Sequence, residues 1–161
     1  MNSRQSKLLV LIASVFVAAC QNGETDKKSK KTESGKEISQ ASIIGCYQDI
    51  VKRDTFQLTI TAVNGDKVEG TLFYNFYEKD DSKGSFEGVY NNGILNINFS
   101  ANGEGTTSVR EGSFKKVSSG FVEGTGEIKM DGNKQYFSDP KNINYDGSLK
   151  FVKSENCLPS I

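Results

Sequence analysis

The sequence predicts an all-β domain over residues 43–161. From Ile43 onwards, apolar side chains recur at every second position, which is the period of a strand with one buried face. No stretch of this region shows a helical period. Glycine is common, with 16 residues, and proline is scarce, with 2, as expected for short strands joined by tight turns.

About eight short strands follow one another along the domain. After an opening segment near Gly45, the predicted strands cover 56–60, 68–77, 85–91, 95–99, 107–117, 121–130, 134–137 and 148–152. Asn64-Gly65 and Asn92-Gly93 are strong hairpin signals, because both residue types tolerate a positive φ. Asp131-Gly132 predicts a further turn.

Consecutive strands joined by tight turns form a meander, and a meander of this length must close or fold over to remove its free edges. We therefore expect an eight-stranded antiparallel up-and-down barrel, with a two-sheet β-sandwich as the alternative. A Glu-Gly dipeptide recurs in or beside the predicted strands, and glycine at such positions indicates bends or close backbone approach. The dipeptides are Glu69-Gly70, Glu87-Gly88, Glu111-Gly112 and Glu123-Gly124.

The first nineteen residues have the pattern of a secretory signal peptide. Residues 1–7 contain Arg4 and Lys7 and no acidic residue, and residues 8–17 are apolar apart from Ser14. The apolar run is shorter than the ~20 residues that a membrane-spanning helix needs.

Val17-Ala18-Ala19-Cys20 resembles the bacterial lipobox, an aliphatic residue and two small residues before an invariant cysteine. The resemblance implies a diacylglyceryl group on the Cys20 sulfur, cleavage after Ala19 and acylation of the new amino group. Several acyl chains on one residue anchor a protein stably to a membrane. In the sorting rule of some Gram-negative lipoproteins, a residue such as Gln21 in place of aspartate permits transfer to the outer membrane.

The polar, charged segment 20–42 has no face to bury, so it predicts a disordered tether. With lipobox, tether and β domain together, the chain resembles the small lipoproteins of Bacteroidetes-type bacteria. Its meander resembles lipocalin-like and avidin-like barrels, although the lipocalin Gly-x-Trp start is replaced by Gly45-Cys46-Tyr47. The resemblance implies a protein of the cell envelope, facing either the periplasm or the surface.

Three cysteines are present, and lipidation of Cys20 leaves Cys46 and Cys157. In an oxidising envelope these two are expected to form a disulfide, which would tie the first segment of the domain to the last. The alternative is a pair of free buried thiols.

Composition excludes several classes of function. Removing Arg4 and Lys7 leaves 18 basic against 20 acidic residues, a net charge of about −2 that is unlike a nucleic-acid-binding protein. The chain contains no histidine, which excludes Ser-His-Asp and Cys-His catalysis and histidine-ligated zinc. We therefore expect a non-enzymatic protein with no cofactor and no bound metal.

Arg110 is the strongest candidate for ligand binding, because it shares a strand face with the core residue Phe114. A two-residue turn at Ser118-Ser119 would place Glu127 opposite Arg110, whereas a three-residue turn would separate them. The pair would form either the mouth of a ligand pocket or a structural cross-strand ion pair. Tyr74 and Tyr90 complete the predicted ligand-binding set.

Residues 72–77 are aromatic on both faces. The alternation assigns Tyr74 and Phe76 to the core and places Phe73 and Tyr77 outside, as a contact patch or beneath a covering loop. The expected function is thus a lipid-anchored envelope protein that binds a small apolar or amphipathic ligand in its barrel. The alternative is a protein-interaction module, such as an inhibitor or an accessory factor.

Overall fold

A computed structural model describes residues 43–103, 106–147 and 149–159. Within these ranges the chain forms ten strands and no helix. The strands are β1 (Gly45–Val51), β2 (Asp54–Asn64), β3 (Lys67–Asn75), β4 (Ser82–Asn91), β5 (Ile94–Gly103), β6 (Thr106–Val117), β7 (Gly120–Glu123), β8 (Ile128–Asp131), β9 (Lys134–Phe137) and β10 (Lys150–Ser154). The predicted signal peptide, Cys20 and the tether lie outside the described residues.

Eight strands close into an antiparallel barrel, as predicted. β1, predicted only as an opening segment, belongs to it, whereas the predicted strand 134–137 is β9 and lies outside it. β1 to β7 form the meander, and β10 then pairs with both β7 and β1. The β5–β6 pairing completes the ring. Closure leaves none of these eight strands as a free sheet edge.

Two of the predicted hairpin turns contain residues with a positive φ. Asn92 and Gly93 have φ values of 50° and 80° between β4 and β5, the type I′ pattern that suits the twist of paired strands. Gly65 has a φ of 61° between β2 and β3. These local signals specify two of the hairpins of the barrel.

The predicted strand 121–130 is wrong, because the chain leaves the barrel after β7. An added Cβ at Gly124 would clash with the side chains of Ile143 and Tyr145. The β7–β10 connection, described over residues 124–147 and 149, passes over the outside of the barrel and forms the β8–β9 hairpin there. β9 pairs in parallel with β6 through Val109 and Arg110. The predicted turn at Asp131-Gly132 joins β8 to β9.

Aromatic and aliphatic side chains fill the barrel. Fifteen buried residues make up its core: Ile43, Tyr47, Phe56, Leu58, Ile60, Val68, Leu72, Tyr74, Phe86, Leu95, Ile97, Phe99, Phe114, Phe121 and Phe151. The Glu-Gly glycines create room for some of them. Gly88 and Gly112 lie on either side of Ile97 in the strand register, so one large side chain occupies the space left by two small residues.

The predicted disulfide is present. Cys46 in β1 is bonded to Cys157 after β10, with their Cα atoms 6.2 Å apart. The segment beyond β10 continues onto the outer face of β2. There the side chain of Gln57 makes two hydrogen bonds with the backbone of Leu158. The Leu158 amide donates to Gln57 Oε1 over 2.8 Å, and Gln57 Nε2 donates to the Leu158 carbonyl over 3.1 Å.

Candidate functional site

The first candidate site is the barrel end that carries the β1–β2 turn and the β7–β10 connection. Arg110 projects there over two buried rings, with Cζ 4.7 Å from the Tyr74 centroid and 5.8 Å from the Phe99 centroid. Arg110 Nη2 lies 3.8 Å from Glu123 Oε1, which accepts a 2.6 Å hydrogen bond from the Tyr74 hydroxyl. Arg110 therefore points inwards and has an acidic partner.

That partner is not Glu127, so the predicted pair is wrong. Val117 pairs with Gly120, so the turn has the two residues that the prediction required. However, β7 ends at Glu123, and Arg110 lies beside Gln135 of β9 instead. Glu127 Oε2 accepts a hydrogen bond of 2.9 Å from Ser138.

The other two predicted ligand-binding residues lie at opposite ends of the barrel. Tyr74 belongs to the Arg110 cluster. Tyr90 lies near the Asn92-Gly93 turn, where its ring centroid is 6.4 Å from that of Phe121. A single small ligand at Arg110 would thus contact Tyr74 and leave Tyr90 as a packing residue.

Burial sets the ionisation of the Arg110 cluster. It raises the pKa of Glu123 above its usual 4.5, although the hydrogen bond from Tyr74 and the charge of Arg110 act to lower it. Burial also raises the pKa of the Tyr74 phenol well above its usual 10.0, and the Glu123 carboxylate raises it further. Both groups therefore lose their protons at a higher pH than they would in water.

We expect Glu123 to make the domain less stable as the pH rises. Because its pKa is higher folded than unfolded, its stabilising contribution is complete below the unfolded pKa and is lost as the pH rises through the folded pKa. Urea unfolding at a series of pH values from about 4 to 7 should show the wild type losing stability relative to Glu123→Gln. A constant difference between the two proteins over this range would contradict the assignment.

The space at Arg110 is small. The pocket between Arg110, Ser82 and Gln135 has a volume of about 150 Å³, whereas ligand sites usually have roughly 300–1,000 Å³. Its size suits a few water molecules or a very small ligand.

The predicted contact patch is only partly as expected. Tyr77 is exposed, and the Arg53 guanidinium lies 3.1 Å above its ring centroid. Phe73 is half-buried and lines an outer pocket of about 380 Å³ beside Leu158 and Pro159. Phe76 was expected in the core but is 37% exposed, because β3 ends at Asn75 and the alternation stops there. A binding role for Phe73 and Tyr77 stays a prediction.

The second candidate site lies outside the barrel and was not predicted. A groove of about 660 Å³ runs between the outer face of β4–β6 and the β7–β10 connection. We call it the outer groove. Its polar side chains are Asn91, Asn92, Asn96, Asn98, Glu111, Ser113 and Tyr145, and its apolar ones include Val89, Ile94, Phe137, Pro140 and Ile143.

A chain of hydrogen bonds orders the centre of the outer groove. Ser113 donates its one hydroxyl proton to Asn96 Oδ1 over 2.7 Å, so the Tyr145 hydroxyl, 2.7 Å from Ser113 Oγ, must donate to Ser113. Asn96 accepts through its oxygen, and its amino group keeps two donors for a ligand. Among the described residues, the side chain of Asn98 has no hydrogen-bond partner.

The one charged residue among those lining the outer groove is neutralised locally. Glu111 Oε1 lies 3.1 Å from Lys134 Nζ, and Glu111 Oε2 accepts from the Phe137 amide over 3.3 Å. The lining therefore offers amides and hydroxyls rather than net charge.

Part of the outer groove could have been found from the sequence. Asn96 and Asn98 occupy the outward positions of a strand whose inward positions are Leu95, Ile97 and Phe99. This pattern marks a polar outer face, yet such faces are usually just solvated. The wall formed by Ile143 and Tyr145 depends on the β7–β10 connection, for which the sequence has no local signal.

The described residues define the class of protein: a closed eight-stranded antiparallel β-barrel with an external β-hairpin and a walled groove on its flank. They contain no helix long and apolar enough to span a membrane. The chain matches no protein-family model, no curated protein and no solved structure.

Proposed function

We propose that this chain is a lipid-anchored, non-enzymatic binding protein of the cell envelope, and that it binds its ligand in the outer groove. The observation that carries the proposal is the difference in size between the two candidate sites. The outer groove has about 660 Å³, within the range of ligand sites, and the Arg110 pocket has about 150 Å³. The ligand inside the barrel that the sequence led us to expect is less well supported.

The lipobox-like motif and the disulfide both support location in the envelope. Residues 17–20 resemble the lipobox, which implies an anchor on Cys20 and transfer towards the outer membrane. The Cys46–Cys157 disulfide suits an oxidising compartment.

The uncharged polar groups in the outer groove support binding rather than catalysis. Asn96 and Asn98 are neutral amides that can donate and accept hydrogen bonds but do not transfer protons near neutral pH. Glu111 is engaged by Lys134 and by the Phe137 amide, so it is a poor candidate for a general base. The lining thus suits recognition.

Native mass spectrometry of the full chain, extracted from its own envelope in mild detergent, tests this proposal. We expect a lipidated chain that begins at Cys20 and carries a second, non-lipid molecule. Asn98→Phe should displace that molecule by filling part of the outer groove, whereas Arg110→Ala should retain it. The matched control is Asn156→Phe, at an exposed asparagine outside the groove.

Three results would overturn the proposal. If Arg110→Ala loses the retained molecule and Asn98→Phe does not, the ligand site is inside the barrel. A co-purifying protein that is displaced by Phe73→Ala and unaffected by Asn98→Phe would favour an interaction module. A mature chain that still includes its first nineteen residues would show that Cys20 is not the lipid-anchored N-terminus.

A further inference from the structure

From the lining of the outer groove, we infer that it binds a neutral oligosaccharide. This inference rests on the proposed function and assigns a ligand class to the same site. It follows from two features of the groove: its amide groups and its lack of net charge.

The amide groups match the needs of sugar hydroxyls, each of which can donate and accept a hydrogen bond. A carboxamide has two donors and an acceptor with two lone pairs, so it can satisfy two neighbouring hydroxyls at once. Asn91, Asn92, Asn96 and Asn98 lie together in the outer groove. The side chains of Asn91, Asn92 and Asn98 have no hydrogen-bond partner among the described residues, so their amides are available to a ligand.

The charge balance argues against an ionic ligand. Glu111 is the single charged residue of the lining and is already paired with Lys134. An anionic sugar or peptide would find no cation among the lining residues, and Lys115 beside them lies over the Tyr145 ring, with Nζ 5.8 Å from its centroid. A cationic ligand would have to compete with Lys134 for Glu111. A neutral polyhydroxylated molecule meets neither penalty, while Val89 and Ile143 can cover the apolar faces of its rings.

Isothermal titration calorimetry of the full chain with cellopentaose, maltopentaose and chitopentaose tests the inference. We expect at least one of them to bind, and its affinity to change less than about twofold between 50 and 500 mM NaCl, because a neutral ligand is not screened. Replacing both Asn96 and Asn98 by alanine should weaken binding by about tenfold or more. Asn156→Ala should leave binding within about twofold of the wild type.

The remaining outcomes separate the inference from the proposed function. If an acidic oligosaccharide such as pentagalacturonate, titrated in the same way, binds in their place with an affinity that falls steeply with salt, the ligand class is wrong and the outer groove still binds. If no oligosaccharide binds but Asn98→Phe displaces the molecule retained from the envelope, the inference fails and the proposed function stands. If no oligosaccharide binds and Asn98→Phe displaces nothing, both fail.

Discussion

Replacing Cys46 and Cys157 together by alanine is expected to lower the free energy of unfolding by about 4 kcal/mol. The disulfide joins residues 111 positions apart, so it removes the freedom of nearly the whole domain in the unfolded chain. It also holds Leu158 against Gln57 on the outer face of β2. Urea unfolding followed by far-UV circular dichroism, under oxidising conditions, measures the loss.

Reductant provides the control for this prediction. It should destabilise the wild type by a similar amount and leave the double variant unchanged. If the wild type unfolds at the same urea concentration with and without reductant, the disulfide does not stabilise the domain.

Phe121→Ala is the second large prediction, with an expected cost of about 3–5 kcal/mol. Phe121 is fully buried, and its ring centroid lies 5.0 Å from that of Tyr47 in β1 and 6.4 Å from that of Tyr90 in β4. Deleting it opens a cavity where β7, β10 and β1 close the barrel. Equilibrium urea unfolding gives the value.

The matched control is Phe76→Ala, the same chemical change at a ring that is 37% exposed. It should cost less than half as much, because less apolar surface is returned to water and a smaller cavity remains. Equal costs at the two positions would mean that the barrel closure is not the tightly packed part of the fold.

Much of the fold could be predicted because its determinants are local. Alternation in β2, β3 and β5 shows which side chains face inwards, and Asn92-Gly93 fixes one turn directly through its backbone preference. The disulfide followed from the expected compartment and the cysteine count. The break after Glu123 could not be predicted, because Gly124 is required by its contact with Ile143, a residue of the distant connection.

The candidate site was harder to predict, because it too depends on contacts between residues far apart in the sequence. Arg110 was correctly expected to face inwards, but its partner depended on where β7 ends, and the expected Glu127 is in fact held by Ser138. The outer groove combines a polar strand face, which the sequence shows, with a wall that only long-range folding brings there. A polar outer face by itself does not distinguish a binding surface from a solvated one.

The central claim is that the ligand lies on the flank of the barrel rather than inside it. Amide chemical shifts of the isotope-labelled chain, compared before and after removal of the molecule retained from the envelope, test this claim most directly. We expect the largest changes at Asn96, Asn98 and Tyr145, with little change at Tyr74 and Arg110. Changes concentrated at Tyr74, Phe99 and Arg110 would contradict it and place the ligand at the barrel end beside Arg110.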